Sequence, residues 1–150
     1  MTRKTFIKSE HGQAIVEIAM VLVIFLFTIF GVTEFSRVMY TYGTLVQSTR
    51  AAARWAVVNN STDLDKAKNI AVYGDPNTLS GKALLSGLTP SNVSVSIENI
   101  EVDSNNVPIT QKISVRITGY QFRFLVPLVP NITIPALETS LYAESMGATS

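Results

Sequence analysis

Hydrophobic side chains dominate one long stretch near the start of the chain. Residues 14–33 are twenty in number, and Glu17 is the only charged one among them. A helix of that length rises about 30 Å, which matches the hydrocarbon core of a bilayer. The stretch therefore predicts a helix that crosses a membrane.

Beyond Thr33, mostly apolar positions keep recurring at steps of three and four residues, the period of a helix. They are Phe35, Val38, Tyr42, Leu45, Thr49, Ala52 and Ala56. Charged and amide side chains fall largely between these positions, so the stripe predicts an amphipathic helix that packs on one side. We expect one helix from residue 13 to about residue 58, because residues 59–63 are polar types that favour turns and caps.

In the second half of the chain the apolar residues recur with a different spacing. Leu64–Tyr73 is predicted to be a short helix, ended by the turn that begins at Gly74. Apolar and polar positions then alternate in residues 93–98 and again in residues 113–118, which is typical of strands with one buried face. Residues 103–106 favour a turn, so the two strands are expected to form an antiparallel hairpin.

The alternation continues through Tyr120, Phe122 and Phe124, and Pro127 and Pro130 then interrupt it. A last set of alternating residues predicts a final strand or strand pair. Its members are Ile132, Ile134, Leu137, Thr139 and Leu141. The sheet is therefore expected to lie between about residues 92 and 145.

Each predicted element has one apolar face that must be covered. The simplest fold that covers all of them is α+β, with a long N-terminal helix packed on a small antiparallel β-sheet. The helix is transmembrane in its first part and amphipathic in its second. Three regions follow: a basic leader over residues 1–12, a transmembrane segment over 13–33, and an extracytoplasmic α+β domain over 34–150.

The placement of charge sets the expected orientation. Arg3, Lys4 and Lys8 precede the apolar stretch, and the first cation after it is Arg37. The positive-inside rule then places the amino terminus in the cytoplasm and the bulk of the chain outside. Twelve cations against eleven acids leave the chain nearly neutral, with no basic face of the kind that binds nucleic acid.

The composition excludes most catalytic chemistry. The chain has no cysteine, and its single histidine, His11, lies in the basic leader. A histidine-based triad or a two-histidine metal site cannot be built from one such chain. The sequence therefore predicts a protein that is not an enzyme and has no cofactor, no metal site and no small-molecule substrate.

Glu17 is the most informative residue of the apolar stretch. An ionised side chain at hydrocarbon depth costs about 2.5 to 3.5 kcal/mol by insertion scales, so it usually has a partner or a task. A removable secretory signal has an apolar part of only about 7 to 15 residues. The longer stretch and the early acid seen here disfavour that interpretation.

A basic leader that ends in Gly12, followed five residues later by Glu17 at the start of an apolar helix, resembles a type IV prepilin signal. In that case Gln13 is the first residue after cleavage. A wider set of residues resembles the TadE-like proteins of tight-adherence (Tad or Flp) pilus systems. It comprises Gly12, Ala14, Val16, Glu17, Ala19, Gly31, Glu34, Phe35, Arg37, Tyr40, Arg50, Ala51, Ala52, Ala53, Arg54, Trp55 and Ala56.

The resemblance implies a pilin-like fold and a role in assembly. In this family a membrane prepilin peptidase removes the leader, and the product is a minor pilin or pseudopilin that helps to start or anchor a pilus. The implied partners are the lipid bilayer, the peptidase, other pilins and inner-membrane pilus assembly proteins. The implied location is the bacterial inner membrane, with a single span and with incorporation into a pilus open.

Two roles for Glu17 remain open at this point. It either pairs with the new ammonium group of Gln13 on a neighbouring subunit and serves peptidase recognition, or it snorkels or is protonated near the cytoplasmic interface. An uncleaved single-pass protein whose outer domain binds an envelope partner is the alternative function. Arg50 and Arg54, four residues apart, are expected to find acids either at Glu138 or Glu144 or on a neighbouring subunit.

Overall fold

The computed structural model describes residues 10–59, 63–78, 81–102, 104, 108–125 and 129–144. For Glu10, His11 and Glu144 it describes the backbone only. The chain divides into two compact units, and the boundary falls between Arg37 and Val38. One helix, α1 (Glu10–Val58, 49 residues), contributes to both units. It ends at Val58, where the polar residues that follow in the sequence predict its end.

In the first unit α1 is exposed along its whole apolar stretch. Every side chain from residue 12 to residue 33 is exposed. The hydroxyls of Thr28 and Thr33 each donate to the carbonyl oxygen four residues earlier, at Ile24 and Ile29, over 2.9 Å. These two polar groups are thereby satisfied inside the helix, which suits a segment surrounded by hydrocarbon.

In the second unit α1 presents small side chains to the core. Leu45, Ala52, Ala53 and Ala56 are fully buried, and the three alanines leave little space between the helix and the core. Thr49 is also buried. Its hydroxyl donates to the carbonyl oxygen of Val46 over 2.9 Å and lies 3.1 Å from the hydroxyl of Thr139.

The predicted short helix is present as α2 (Leu64–Tyr73). It ends at Gly74, which takes a left-handed conformation with φ +80° and donates its N–H to the carbonyl of Ile70 over 2.9 Å. Glycine adopts this conformation at little cost, which makes it a good helix terminator. In the turn that follows, the Asn77 N–H and the Thr78 hydroxyl hold the pKa of the Asp75 carboxyl below its ordinary value.

The main sheet has three antiparallel strands in the order β1 (Val93–Val102), β2 (Pro108–Ile117) and β5 (Leu137–Glu144). The predicted hairpin of β1 and β2 is confirmed, and its register pairs Val95 with Val115. Of its predicted turn residues only Ser104 is described, as a turn, and the other three lie outside the described residues.

The residues after β2 do not extend the main sheet. They form β3 (Gln121–Phe122), which pairs with β4 (Ile132–Thr133) in a separate two-stranded sheet. The chain turns away at Gly119, whose φ is +70°. The predicted final strand pair is present, but its two members, β4 and β5, belong to different sheets.

One face of the main sheet packs on α1 and α2 to form the core. Its buried residues fall into two neighbouring clusters, one built around Leu45, Val115 and Ile117 and the other around Ala56 and Ile113. Trp55 packs against both clusters. The predicted α+β class, a long N-terminal helix with a small antiparallel sheet, is confirmed.

Ala52 is fully buried and its neighbour Ala51 is exposed, so substitutions at the two positions should differ sharply in their effect on stability. We expect Ala52→Leu to destabilise the second unit by about 1 to 3 kcal/mol, because the fully buried site has no room for a larger side chain. The midpoint of thermal unfolding should fall by roughly 5 °C or more. Fluorescence of Trp55, the single tryptophan, reports the transition for the full chain in detergent micelles.

Ala51→Leu is the matched control, since Ala51 is exposed. An exposed substitution of this kind should change stability by no more than about 0.5 kcal/mol. Equal melting midpoints for the two leucine variants would contradict the packing described for α1.

Candidate functional site

The candidate site begins where the apolar stretch begins. Gly12, Gln13, Val16, Glu17 and Met20 line a shallow open groove along one side of α1. Their spacing of three and four residues places them on a common helix face. The predicted processing residues, Gly12 and Gln13, therefore lie on the same face as Glu17.

Glu17 is exposed on this face. Among the described residues, no hydrogen bond or ion pair reaches its carboxylate. Arg37 is the only lysine or arginine described in the first unit, and it lies twenty residues further along, about 30 Å at the helical rise. Among the described residues of its unit, the Glu17 carboxylate therefore has no cation within reach.

At the far end of the apolar stretch, Glu34 and Arg37 form an ion pair. The Arg37 guanidinium donates to Glu34 Oε2 over 2.7 Å, and the Glu34 side chain is only 11% exposed. Both residues belong to the motif, but their ion pair was not predicted from the sequence. Their spacing of three residues could have indicated it, because side chains three apart on a helix are neighbours. The pair neutralises two charges beside the segment that is expected to lie in lipid.

Four other motif residues within the apolar stretch are small or apolar and exposed. They are Ala14, Val16, Ala19 and Gly31. A Cβ added at Gly31 would meet nothing within 4 Å. A small residue that faces a second helix in a membrane allows the two helices to approach closely.

Arg50 and Arg54 are exposed on the part of α1 that belongs to the second unit, as is Tyr40. Neither arginine forms an ion pair with a described residue. Glu138, one of their two expected partners, lies against Arg116 instead, with 3.9 Å between Nε and Oε2. The side chain of Glu144 lies outside the description.

The part of the chain that the structure describes contains no group of three or more histidine, cysteine, aspartate or glutamate side chains able to hold a metal ion. All of its buried side-chain nitrogen and oxygen atoms have hydrogen-bond partners. Its most apolar helical segment has a mean hydropathy of 2.8, none of it buried, and is long enough to cross a membrane.

Comparison with known proteins singles out the same helix. Residues 12–54 match the family model described as TadE-like protein, a segment that begins at Gly12 and ends at Arg54. No curated protein and no solved structure gives a significant match to the chain. The match covers the apolar helix and the first part of its continuation, less than half of the chain. Over residues 12–54, the long N-terminal helix that carries the candidate site, the chain is similar to the TadE-like family.

Proposed function

We propose that this protein is a minor pilin or pseudopilin that takes part in assembling or anchoring a Tad-type pilus through association of its α1 helix with other subunits in the membrane. The observation that carries the proposal is the exposed apolar surface of residues 13–33, which contains one carboxylate without a partner among the described residues. Such a surface suits a helix that packs among others. The TadE-like match over the same helix supports this function.

The proposed topology has one span. Residues 1–12 are a cytoplasmic leader with Arg3, Lys4 and Lys8, residues 13–33 cross the inner membrane, and residues 34–150 lie outside. A membrane prepilin peptidase cuts after Gly12 and leaves Gln13 as the first residue. The cytoplasmic leader and the early glutamate support processing at this place.

In this proposal Glu17 acts as a register device. Cleavage creates an ammonium group on Gln13, and the Glu17 carboxylate of one subunit pairs with that group on a neighbour. Breaking one partner of a buried ion pair costs about 3 to 5 kcal/mol, so helices that pack out of register are disfavoured. Ala14, three residues before Glu17 and on the same helix face, lets the two helices approach closely enough for the pair to form.

Other exposed motif residues extend the proposed contact along α1. Arg50 and Arg54 carry two positive charges on the outer part of the helix, and both are exposed without ion pairs to described residues. Acidic groups of neighbouring pilus subunits are their proposed partners. Association of this kind needs no catalytic group, cofactor, nucleic acid or small-molecule substrate.

Processing after Gly12 is tested by the mass of the membrane-extracted protein. With an active prepilin peptidase we expect a chain that starts at Gln13, and without it a chain that keeps residues 1–12. Gly12→Leu should abolish the cleavage, because the bulky side chain replaces a glycine at the cut. Intact protein mass spectrometry distinguishes the two products.

Gly31→Leu is the matched control, since Gly31 lies in the same helix and has open space around it. It should be processed normally. A leader that persists with the active peptidase would contradict the prepilin assignment and favour an uncleaved single-pass protein whose outer domain binds an envelope partner.

The role of Glu17 is tested by Glu17→Gln in cells that lack the unaltered protein. We expect the number of pili per cell to fall at least tenfold, because losing one partner of a buried ion pair costs several kcal/mol. Thr28→Val is the control, because the Thr28 hydroxyl is satisfied within its own helix by Ile24. Normal pilus numbers with Glu17→Gln would contradict the register role.

A further inference from the structure

The main sheet of the second unit has two edges, β1 on one side and β5 on the other. An edge strand presents N–H and C=O groups that no neighbouring strand takes up, and it is a template for one more strand unless charges, prolines or bulges protect it. In β1 this protection lies at the far end, where the register is irregular after Asn99 and where Glu98 and Glu101 are exposed. Residues 93–97 contain no charge, proline or glycine, so this part of the edge is unprotected.

The register shows which backbone groups of β1 point outward. The Thr118 N–H donates to the Asn92 carbonyl over 2.9 Å, so these two residues form a hydrogen-bonded pair. Such pairs alternate with non-hydrogen-bonded pairs along an antiparallel ladder, which directs the backbone groups of Val95 and Ile97 away from β2. Among the described residues, no hydrogen bond reaches these outward N–H and C=O groups.

The same alternation continues across β2 to the other edge. Val115, the partner of Val95 on β2, turns its backbone groups toward β5, where it pairs with Thr139. The residues on either side of Thr139 therefore point their backbone groups outward. They are Glu138 and Ser140, and within the described part of the chain their outward groups have no hydrogen-bond partner.

The two edge strands run in the same direction, because each is antiparallel to β2. A sideways shift of one copy, without any turn, therefore brings its β5 beside β1 of the next copy as a parallel pair. Such a shift uses both edges of every copy and suits chains that all cross one membrane in the same direction. Pairing of β1 with a second β1 would instead turn one copy by half a turn and leave both β5 edges open.

The two edges match in register. Within one sheet Val95 lies level with Thr139, through Val115 between them. If the shift keeps this level, the Val95 N–H donates to the Glu138 carbonyl of the neighbouring copy, and the Ser140 N–H of that copy donates to the Val95 carbonyl. This is the hydrogen-bond pattern of a parallel pair, and the outward groups of both strands are the ones that it uses.

The outer-face side chains are compatible with this register. One row across the three strands consists of serines, namely Ser96, Ser114 and Ser140. The shift continues this row by placing Ser140 beside Ser96 of the next copy. In the rows on either side, Glu138 lies beside Ser94 and Tyr142 lies beside Glu98, so no like charges are opposed.

We propose that copies of this chain join edge to edge, with β5 of one copy added as a parallel strand beside β1 of the next. The contact is head-to-tail, so it continues from copy to copy instead of closing into a pair. Backbone hydrogen bonds hold the strands together, and the side-chain rows fix the register. The inference deepens the proposed function by naming a second copy as a partner of the second unit, and it rests on that function for bringing the copies together in one membrane.

The chain lacks cysteine, so single cysteines can be introduced without altering other residues. Ser96→Cys and Ser140→Cys place one thiol on each edge, and both serines are exposed. The two full-length variants carry different epitope tags, are produced together in membranes and are treated with a short bis-methanethiosulfonate crosslinker. Adjacent strands lie about 4.8 Å apart, so the reagent can bridge the two thiols across the proposed contact.

We expect crosslinked dimers that carry both tags, at least fivefold more abundant than the dimers formed when either variant is present alone. Ser91→Cys is the matched control for Ser96→Cys, because Ser91 is also an exposed serine but lies before β1 begins. It should give only background crosslinking with Ser140→Cys. A second pair, Ser94→Cys with Glu138→Cys, belongs to the next row and should repeat the result.

Mixed dimers no more abundant than those with Ser91→Cys, for both cysteine pairs, would overturn the edge contact. Dimers that form as readily from one variant alone would show that like edges pair, which also overturns it. The intact mass of the same samples separates this inference from the proposed function. Lost crosslinking in chains that start at Gln13 overturns the edge contact alone, whereas crosslinking in chains that keep residues 1–12 supports the contact and contradicts the processing.

Discussion

The exposed apolar surface of α1 is the constraint on which the rest of the structure depends. Residues 13–33 find no cover in their own unit, and each Å² of such surface left in water costs about 25 cal/mol. Only hydrocarbon or other apolar helices can remove that cost. The first half of the helix therefore favours a location in a membrane.

One continuous helix meets two environments with two kinds of surface. In the second unit it offers small, fully buried residues such as Ala52 and Ala53, which fit a closely packed sheet. In the first unit it offers large side chains on all sides, which suit fluid lipid. Polar groups of the first unit are mostly satisfied. Thr28 bonds within the helix and Glu34 is paired with Arg37, whereas Glu17 has no ion-pair partner among the described residues.

Much of this fold is predictable because periodicity is a local property. The end of α1 at Val58, the short helix α2 and the hairpin of β1 and β2 all follow from the spacing of apolar residues. The departure of β3 into a second sheet does not, because alternation gives a strand its buried face but not its neighbour. Gly119, with its positive φ, turns the chain there, and no periodic pattern marks such a turn.

The candidate site, too, is predictable from the sequence only in part. Gly12 and Glu17 stand out in the sequence because a charge interrupts an apolar run. The ion pair between Glu34 and Arg37 was not predicted. The acids that pair with Arg50 and Arg54 could not be predicted, since long-range charge contacts depend on how strands are placed. Arg116 proved to be the cation beside Glu138, as its cross-strand neighbour in the register of β2 and β5.

The central claim is that the first half of α1 associates with other helices in the membrane through the face that contains Glu17. A cysteine scan across residues 14–33, followed by oxidative crosslinking in native membranes, tests it most directly. The account predicts crosslinks that recur every three to four residues, strongest on the face shared by Gln13 and Glu17. Uniform, weak crosslinking at every position would show a helix that is isolated in lipid and would contradict the account.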